Sequence, residues 1–317
     1  MKAIAIDRWG GPDVLMLRDV PRPVAGIGEV LVQVHYAALN PIDFKIRNGR
    51  FRWFMSRRFP KIPGLEASGV VVATGGGVTD ISVGSRVFIQ TSRRFRMGCY
   101  AEFAIAEADR CLLLDENDDM QVCSSLAVAP VTALQCLRDH GRVREGSRVL
   151  INGASGSVGR CAVQIARMMG ADVTAVCSTR NLDLVLRDGA HRVIDYTTTS
   201  VAETEEQYDL ILDCVSTLRF SACQKVLKPQ GVFVNLMLRP ADLLWQKISN
   251  PFRKQQFLTA LMDYRPDDLQ WILRQLRRGA LHLPLDRMVS LEEAADAHRY
   301  IETGRATGKV LLSTGQG

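Results

Sequence analysis

Between Val149 and Gly170 the chain reads VLINGASGSVGRCAVQIARMMG: an apolar run, three glycines within seven residues, then an amphipathic run. An apolar strand that enters a tight turn and leaves it as a helix is the core of a βαβ unit. In the amphipathic part Val158, Ala162, Ile165, Ala166 and Met169 fall on one helical face. Further strand patterns follow, "DVTAVC", "HRVIDY", "YDLILDC" and "GVFVNL", with helix patterns at 182–187 and 218–227 between them. This alternation predicts an α/β fold with a parallel, doubly wound sheet.

The first 120 or so residues have another texture. "GEVLVQVHYAAL" alternates Val30, Val32, Val34 and Tyr36 with Leu31, Gln33 and His35, and "ASGVVVATGGGV", "SRVFIQ" and "YAEFAIA" continue the strand signal. Beyond residue 118, "MQVCSSLAVAPVTALQCLRDHG" reads as helical. Near the other end, Pro266 with Asp267 and Asp268 starts a helix that Gly279 closes. Ser290 and Glu293 form a capping-box pattern ahead of "AADAHRYIETG", and "GKVLLS" reads as a last strand.

With 47% hydrophobic and 23% charged residues in 317, the chain can bury a substantial core and is too apolar for a disordered segment. No apolar run approaches the ~20 residues of a membrane-spanning helix. The N-terminus lacks the apolar core of a secretory signal, which gives a cytoplasmic expectation. The eight cysteines form no C-x-x-C pair and sit mostly in apolar runs, as small buried hydrophobes in a reducing compartment. The net charge of +6 draws on "KIRNGRFRWFMSRRFPK", where seven arginines and lysines interleave with Phe51, Trp53, Phe54 and Phe59. Such a stretch suits RNA or an anionic membrane surface; the plainer reading is a basic loop near a phosphorylated cofactor. No DNA-binding motif accompanies it.

Read as A-x-G-x-x-G, the glycine motif is Ala154, Gly156 and Gly159. In its strand–turn–helix context it predicts a dinucleotide site, with Gly156, Ser157, Val158 and Gly159 presenting backbone to a pyrophosphate. An ordinary glycine turn is the alternative. Where an acid often meets the ribose 2′-hydroxyl, about 20 residues on, this chain has Cys177 and then "STRN". Ser178, Arg180 and Asn181 suit a 2′-phosphate, and so NADPH over NADH, because a guanidinium binds phosphate with paired charge-assisted hydrogen bonds. A solvent-facing arginine at a helix start is the plainer reading.

Taken together, "NPIDFKIRNG", "PGLEASGVV", "PVTALQCL", "NGASGSVG", "CSTRN", "VIDYT" and the "TGKVLL" ending resemble the medium-chain dehydrogenase/reductase superfamily, in its zinc-independent quinone oxidoreductase-like branch. The resemblance implies a GroES-like catalytic domain over 1–120, completed by 285–317, and a Rossmann NADP-binding domain over 121–284. It also implies a cofactor cleft between them and a homodimer. Zinc-dependent relatives carry Cys in the segment matching 40–43 and "GHE" where this chain has Gly64, Leu65 and Glu66, and Leu65 cannot ligate a metal. No metal is expected. The implied activity is hydride transfer from NADPH to a quinone or an α,β-unsaturated carbonyl, whose β-carbon is already electrophilic.

The resemblance also places Tyr196 near the 2′-phosphate end of the cofactor, Lys45 near its nicotinamide half and Thr132 against it. A strand-end core tyrosine, a solvated lysine and a helix-interior threonine are the plain alternatives. Asn40 is the candidate donor to the substrate carbonyl, although Asn-Pro also starts turns. Glu66 reads as structural, paired with an arginine. The substrate pocket is expected to draw on 51–59, 93–97 and 238–257. Competing functions are an enoyl reductase for polyketide or acyl intermediates, and a weakly catalytic NADPH-binding protein that binds RNA.

Overall fold

The computed structural model describes residues 1–53, 55–56, 58–91, 98–237 and 240–316. Phe54, Arg57, residues 93–97, Leu238 and Arg239, all within the expected substrate loops, lie outside the described residues. The chain divides into two compact units, one of residues 1–128, 265–277 and 285–317, the other of residues 129–264 and 278–284.

The first unit is built on a seven-stranded sheet. Its strands are β3 (Glu29–Ala38), β4 (Glu66–Thr74), β5 (Arg86–Gln90), β6 (Phe103–Glu107), β7 (Cys111–Leu113), β14 (Leu285–Ser290) and β15 (Lys309–Ser313), beside a separate hairpin of β1 (Lys2–Ala5) and β2 (Met16–Asp19). The order is β14-β15-β3-β4-β5-β7, with β6 also on β3. The C-terminal strand therefore pairs with the early strand β3, antiparallel, through Leu311 and Ala38. Val30, Val32 and Val34 are fully buried, as the alternation predicts, and join Ile4, Ile6, Ala67, Val71, Val87 and Ile89 in one core. Helix α1 (Pro41–Arg47), absent from the strand reading, begins with Pro41, whose missing N–H costs nothing at that position. The unit also holds α2 (Met120–Cys123), the start of α3 (Val128–Gln135), α8 (Pro266–Arg277) and α9 (Ala294–Glu302).

Helix α8 lies within the 121–284 segment that the resemblance gives to the Rossmann domain, but it groups with the first unit, as do residues 121–128. It buries Leu269, Ile272 and Leu273, and Arg277 clamps Asp118 with two bonds of 3.0 and 2.7 Å. Asp118 therefore stays ionised to lower pH than an ordinary carboxyl, chiefly through that guanidinium. Ser290 and Glu293 do cap the last helical segment, with both the Ser290 backbone N–H and its hydroxyl 2.8 Å from the carboxylate.

In the second unit β8 (Arg148–Asn152), β9 (Asp172–Cys177), β10 (Arg192–Asp195), β11 (Tyr208–Asp213), β12 (Leu227–Asn235) and β13 (Gln256–Thr259) form a sheet ordered β10-β9-β8-β11-β12-β13. All its pairings are parallel. Such strands are covered on both faces and read as continuous apolar runs: Val149, Leu150, Ile151, Leu210, Ile211 and Leu212 are all inaccessible. The crossover helices include α4 (Ser157–Met168) and α5 (Leu182–Arg187), with α6 (Phe220–Cys223) and α7 (Pro240–Ser249) further on. Gly170, at φ +75, ends α4 in the left-handed conformation that glycine adopts without strain.

Candidate functional site

Chain order reverses between β8 and β11, so this sheet has its switch point at their carboxyl ends, where open α/β sheets bind ligands. The glycine turn leaves β8 there. Gly153 sits at φ +73, and a Cβ on it would lie 2.6 Å from Val215 Cγ1. A Cβ on Gly159 would lie 2.2 Å from the Gly153 carbonyl oxygen and 2.7 Å from Ala154 Cα. Those two glycines are required by the turn itself. Gly156 differs: its φ is −82, and the nearest atom to a Cβ is 3.5 Å away. The fold does not need glycine at that point, and its absent side chain leaves the backbone approachable. Gly156 is the N-cap of α4 and gives no side-chain cap, so the N–H groups of Ser157, Val158 and Gly159 head an uncapped helix.

A polar network backs this turn. Asn152 Nδ2 donates to Asp213 Oδ1 at 2.8 Å and to Thr217 Oγ1 at 2.9 Å. Asp213 also accepts the N–H groups of Val215, Ser216 and Leu218. The residues that end β8 and β11 thus fix the loops on both sides of the switch point. On the other side Asn181, almost fully buried, donates to Ser155 Oγ at 3.0 Å and lies 3.4 Å from Ser178 Oγ. Its amide locks the end of β9 to the glycine turn. Ser178 is half-buried, and Arg180 and Tyr196 are exposed, Tyr196 by 62%. Tyr196 is therefore no core tyrosine; its N–H bonds to the Cys177 carbonyl at 3.1 Å, which brings it alongside the end of β9.

The sequence has no acid at the end of β9, where Cys177 is followed by Ser178. The structure puts one beside it: Asp195, the last residue of β10, is in register with Cys177. Its carboxylate accepts the Thr179 hydroxyl at 2.5 Å, the Thr197 N–H at 2.9 Å and the Thr197 hydroxyl at 2.7 Å. These bonds, the one from Thr179 first, hold its carboxyl below the usual range.

In the first unit, Asn40 is buried at the N-terminus of α1. Its amide donates to Ala38 O at 3.2 Å and Glu66 Oε1 at 3.0 Å, while its carbonyl oxygen accepts from Lys309 Nζ. Both amide hydrogens are engaged, so the expected donation from Asn40 to a substrate carbonyl has no hydrogen left to make it; Asn40 is a joint in a buried network. Glu66 is fully buried and pairs with Lys309 at 2.7 Å, not with an arginine. Its other oxygen accepts the N–H groups of Ala127 and Val128 at 3.1 and 2.9 Å. Lys309 was missed: it opens an apolar strand, and nothing in "GKVLLS" marks its side chain as buried.

Beyond Asn40 the network continues to Asp43, which accepts the Asn40 N–H and, at 2.9 Å, the Tyr100 hydroxyl. Its second oxygen has no partner among the described residues. Burial raises the Asp43 carboxyl to about 7, against the opposing pull of those two bonds and of Lys309. The unfolded carboxyl titrates near 4. Folding therefore binds a proton between those values, and stability falls as pH rises through that window. In Asp43→Asn the loss is expected to vanish: the melting temperature should be flatter between about pH 4 and 7 than in the parent, and a parallel pair of curves would refute the assignment. Lys45, on the same helix, is half-buried, and desolvation, then Arg50, lowers its pKa. Thr132 is half-buried within α3.

Residues 26–116 match the alcohol dehydrogenase GroES-like domain, and residues 189–312 match a family described as zinc-binding dehydrogenase. The chain belongs to the medium-chain dehydrogenase/reductase superfamily, with a GroES-like unit and a Rossmann unit. Among its relatives, a chloroplastic quinone oxidoreductase of Triphysaria versicolor is 31% identical, with 98% of each chain covered. A chloroplastic NADPH-dependent alkenal/one oxidoreductase of Arabidopsis thaliana is also 31% identical, over 98% of this chain and 79% of its own. The solved quinone oxidoreductase of Coxiella burnetii superposes with a TM-score of 0.91 at 29% identity, covering 99% of both chains.

The family description implies zinc, and the residues present do not fit it. Leu65 has no donor atom and is buried, and Glu66 is held by an ammonium and two N–H groups. An ammonium bonded to the Glu66 carboxylate repels a divalent cation and takes an oxygen it would need. Among the described residues no three His, Cys, Asp or Glu side chains gather as a metal site, and no helix is long and apolar enough to cross a membrane.

Proposed function

We propose that this protein reduces a quinone or an α,β-unsaturated carbonyl with NADPH, without zinc. The observation that carries the cofactor part is Gly156: the fold tolerates a Cβ there, yet the residue is glycine, at the uncapped head of α4. That combination fits a pyrophosphate brought against backbone. Bound NADPH supplies the hydride. Ser157, Val158 and Gly159 would offer N–H groups to the pyrophosphate. Ser178, Arg180 and Tyr196 would meet the adenosine 2′-phosphate, with Asn181 holding Ser178 and the glycine turn in place. Lys45 and Thr132 are assigned to the cofactor by their match to the family.

The acceptor class follows from the names of the relatives and from the donor set. Without a Lewis acid, oxidising an alcohol lacks its polarising group, whereas a conjugated acceptor carries its own electrophilic carbon. The basic-aromatic stretch places Trp53 71% exposed beneath the Arg52 guanidinium, and sets Lys61 over the rings of Trp9 and Phe59. The reading is tested by following NADPH oxidation against a panel of quinones, enones and simple ketones. Turnover with the conjugated acceptors alone is expected; turnover of saturated alcohols with NADP in their place would overturn it.

Arg180→Ala tests the cofactor assignment separately. Loss of paired charged hydrogen bonds to a phosphate costs about 1.5–3 kcal/mol, so NADPH affinity should fall on the order of 10- to 100-fold. NADH affinity should stay within about twofold, because no phosphate is lost from its contacts. Titration of both cofactors by fluorescence reads the two constants.

A further inference from the structure

The end of β10 holds an acid that the proposed function does not use. Asp195 lies in register with Cys177, and its carboxylate is bonded to Thr179, the residue between Ser178 and Arg180. Thr179 and Arg180 share the short 3-10 turn Thr179–Asn181, so the turn that carries Arg180 is stapled to Asp195. The Thr179 hydroxyl also lies 3.1 Å from the Thr197 hydroxyl, and the Tyr196 N–H is held by the Cys177 carbonyl. Thr179, Asp195 and Thr197 are thus bonded together at two adjacent parallel strand ends, with Arg180 and Tyr196 beside them in the chain.

We infer that Asp195 sets the selectivity between phosphorylated and unphosphorylated dinucleotides, acting against the 2′-phosphate that Arg180 favours. This rests on the reading of Ser178, Arg180 and Tyr196 as the 2′-phosphate seat. Three hydrogen bonds fix the carboxylate, so it cannot swing away when a second anion arrives. They also lower its pKa further below the range of an ordinary aspartate, which is itself ionised at neutral pH. A phosphate monoester near it carries up to two negative charges, and the repulsion is screened by solvent without being abolished. A ribose hydroxyl meets no such repulsion and finds an acceptor. The Thr179 hydroxyl, already donated to Asp195, is not available to the phosphate. Arg180 and Asp195 therefore pull the site in opposite directions, and the balance is set below what the guanidinium alone would give.

The test uses 2′,5′-ADP and 5′-AMP as probes, which differ only in the 2′-phosphate, with binding measured calorimetrically on the whole protein. In Asp195→Asn the affinity ratio of 2′,5′-ADP to 5′-AMP is expected to rise about threefold to tenfold at low salt. The rise should shrink towards parity with the parent near molar salt, where the screening length falls to about 3 Å. Thr197→Ala removes the hydroxyl bond to Asp195, leaves the backbone N–H bond in place and keeps the charge; its ratio should stay within about twofold of the parent. A ratio in Asp195→Asn that is unchanged, lowered or insensitive to salt would overturn the inference and leave Asp195 as a scaffold for its turn. A parent that binds both probes equally, with Arg180→Ala indifferent, would instead overturn the NADPH reading, and the response of the Asp195→Asn ratio would still be readable beside it.

Discussion

In Gly159→Ala, NADPH affinity is expected to drop by about a hundredfold or more, with a loss of folding stability. The added Cβ would stand 2.2 Å from the Gly153 carbonyl oxygen and 2.7 Å from Ala154 Cα. Both are backbone atoms inside a turn pinned by N–H groups of Gly153 and Ala154 on the Val176 carbonyl, at 3.1 and 3.0 Å. Neither can move aside alone. Either α4 shifts along its axis or the turn opens, at an overpacking cost of about 1–3 kcal/mol. A displacement of an ångström at a positioning element is enough for a hundredfold effect. Gly156→Ala separates the two consequences. Its Cβ meets nothing closer than 3.5 Å, so stability should change by no more than about 1 kcal/mol, the scale of a capping residue, while binding falls as in Gly159→Ala. Melting curves and cofactor titrations on both variants decide it; full affinity in Gly156→Ala would remove the observation on which the proposed function rests.

Lys309→Met is expected to destabilise the first unit by about 3–5 kcal/mol, a melting drop on the order of 10 °C. Lys309 and Glu66 are both buried, 2.7 Å apart, and Asn40 bonds to both. Removing the ammonium leaves a carboxylate with only Asn40 and the two N–H groups of Ala127 and Val128 to hold it. The methionine stem replaces the packing but not the charge. Glu66→Gln should cost a similar amount, because it strands the ammonium. The double variant should cost clearly less than the sum of the two, since one stranded charge cannot be lost twice. Strict additivity in denaturant unfolding would show that the two side chains are not energetically coupled.

The glycine motif, its flanking strand and helix, and the doubly wound sheet were legible in the sequence because each depends on local periodicity or on a backbone conformation. Helix α4 covers Ser157–Met168, against the one-face pattern seen from Val158 to Met169. The resemblance supplied the GroES-like unit and the return of the C-terminal segment to it; that the last strand pairs with β3 is seen only in the structure, since no window of sequence contains it. What stayed hidden depends on register and burial. Lys309 looks like an ordinary charge before "VLL", and only its position opposite Glu66 gives it a role. Asp195 stands eighteen residues beyond Cys177 in the chain, and parallel pairing makes them neighbours. The sequence shows the Asn40 amide but not its partners, Ala38 O and Glu66 Oε1, which take both of its hydrogens.

The proposed reaction is reduction of a conjugated acceptor by NADPH without a metal. The direct measurement is the initial rate of NADPH oxidation with a quinone, on protein treated with a strong chelator and analysed for zinc. Undiminished turnover is expected in metal-free protein, with NADPH preferred to NADH and Arg180→Ala removing the preference. Stoichiometric zinc together with loss of turnover on chelation would contradict it.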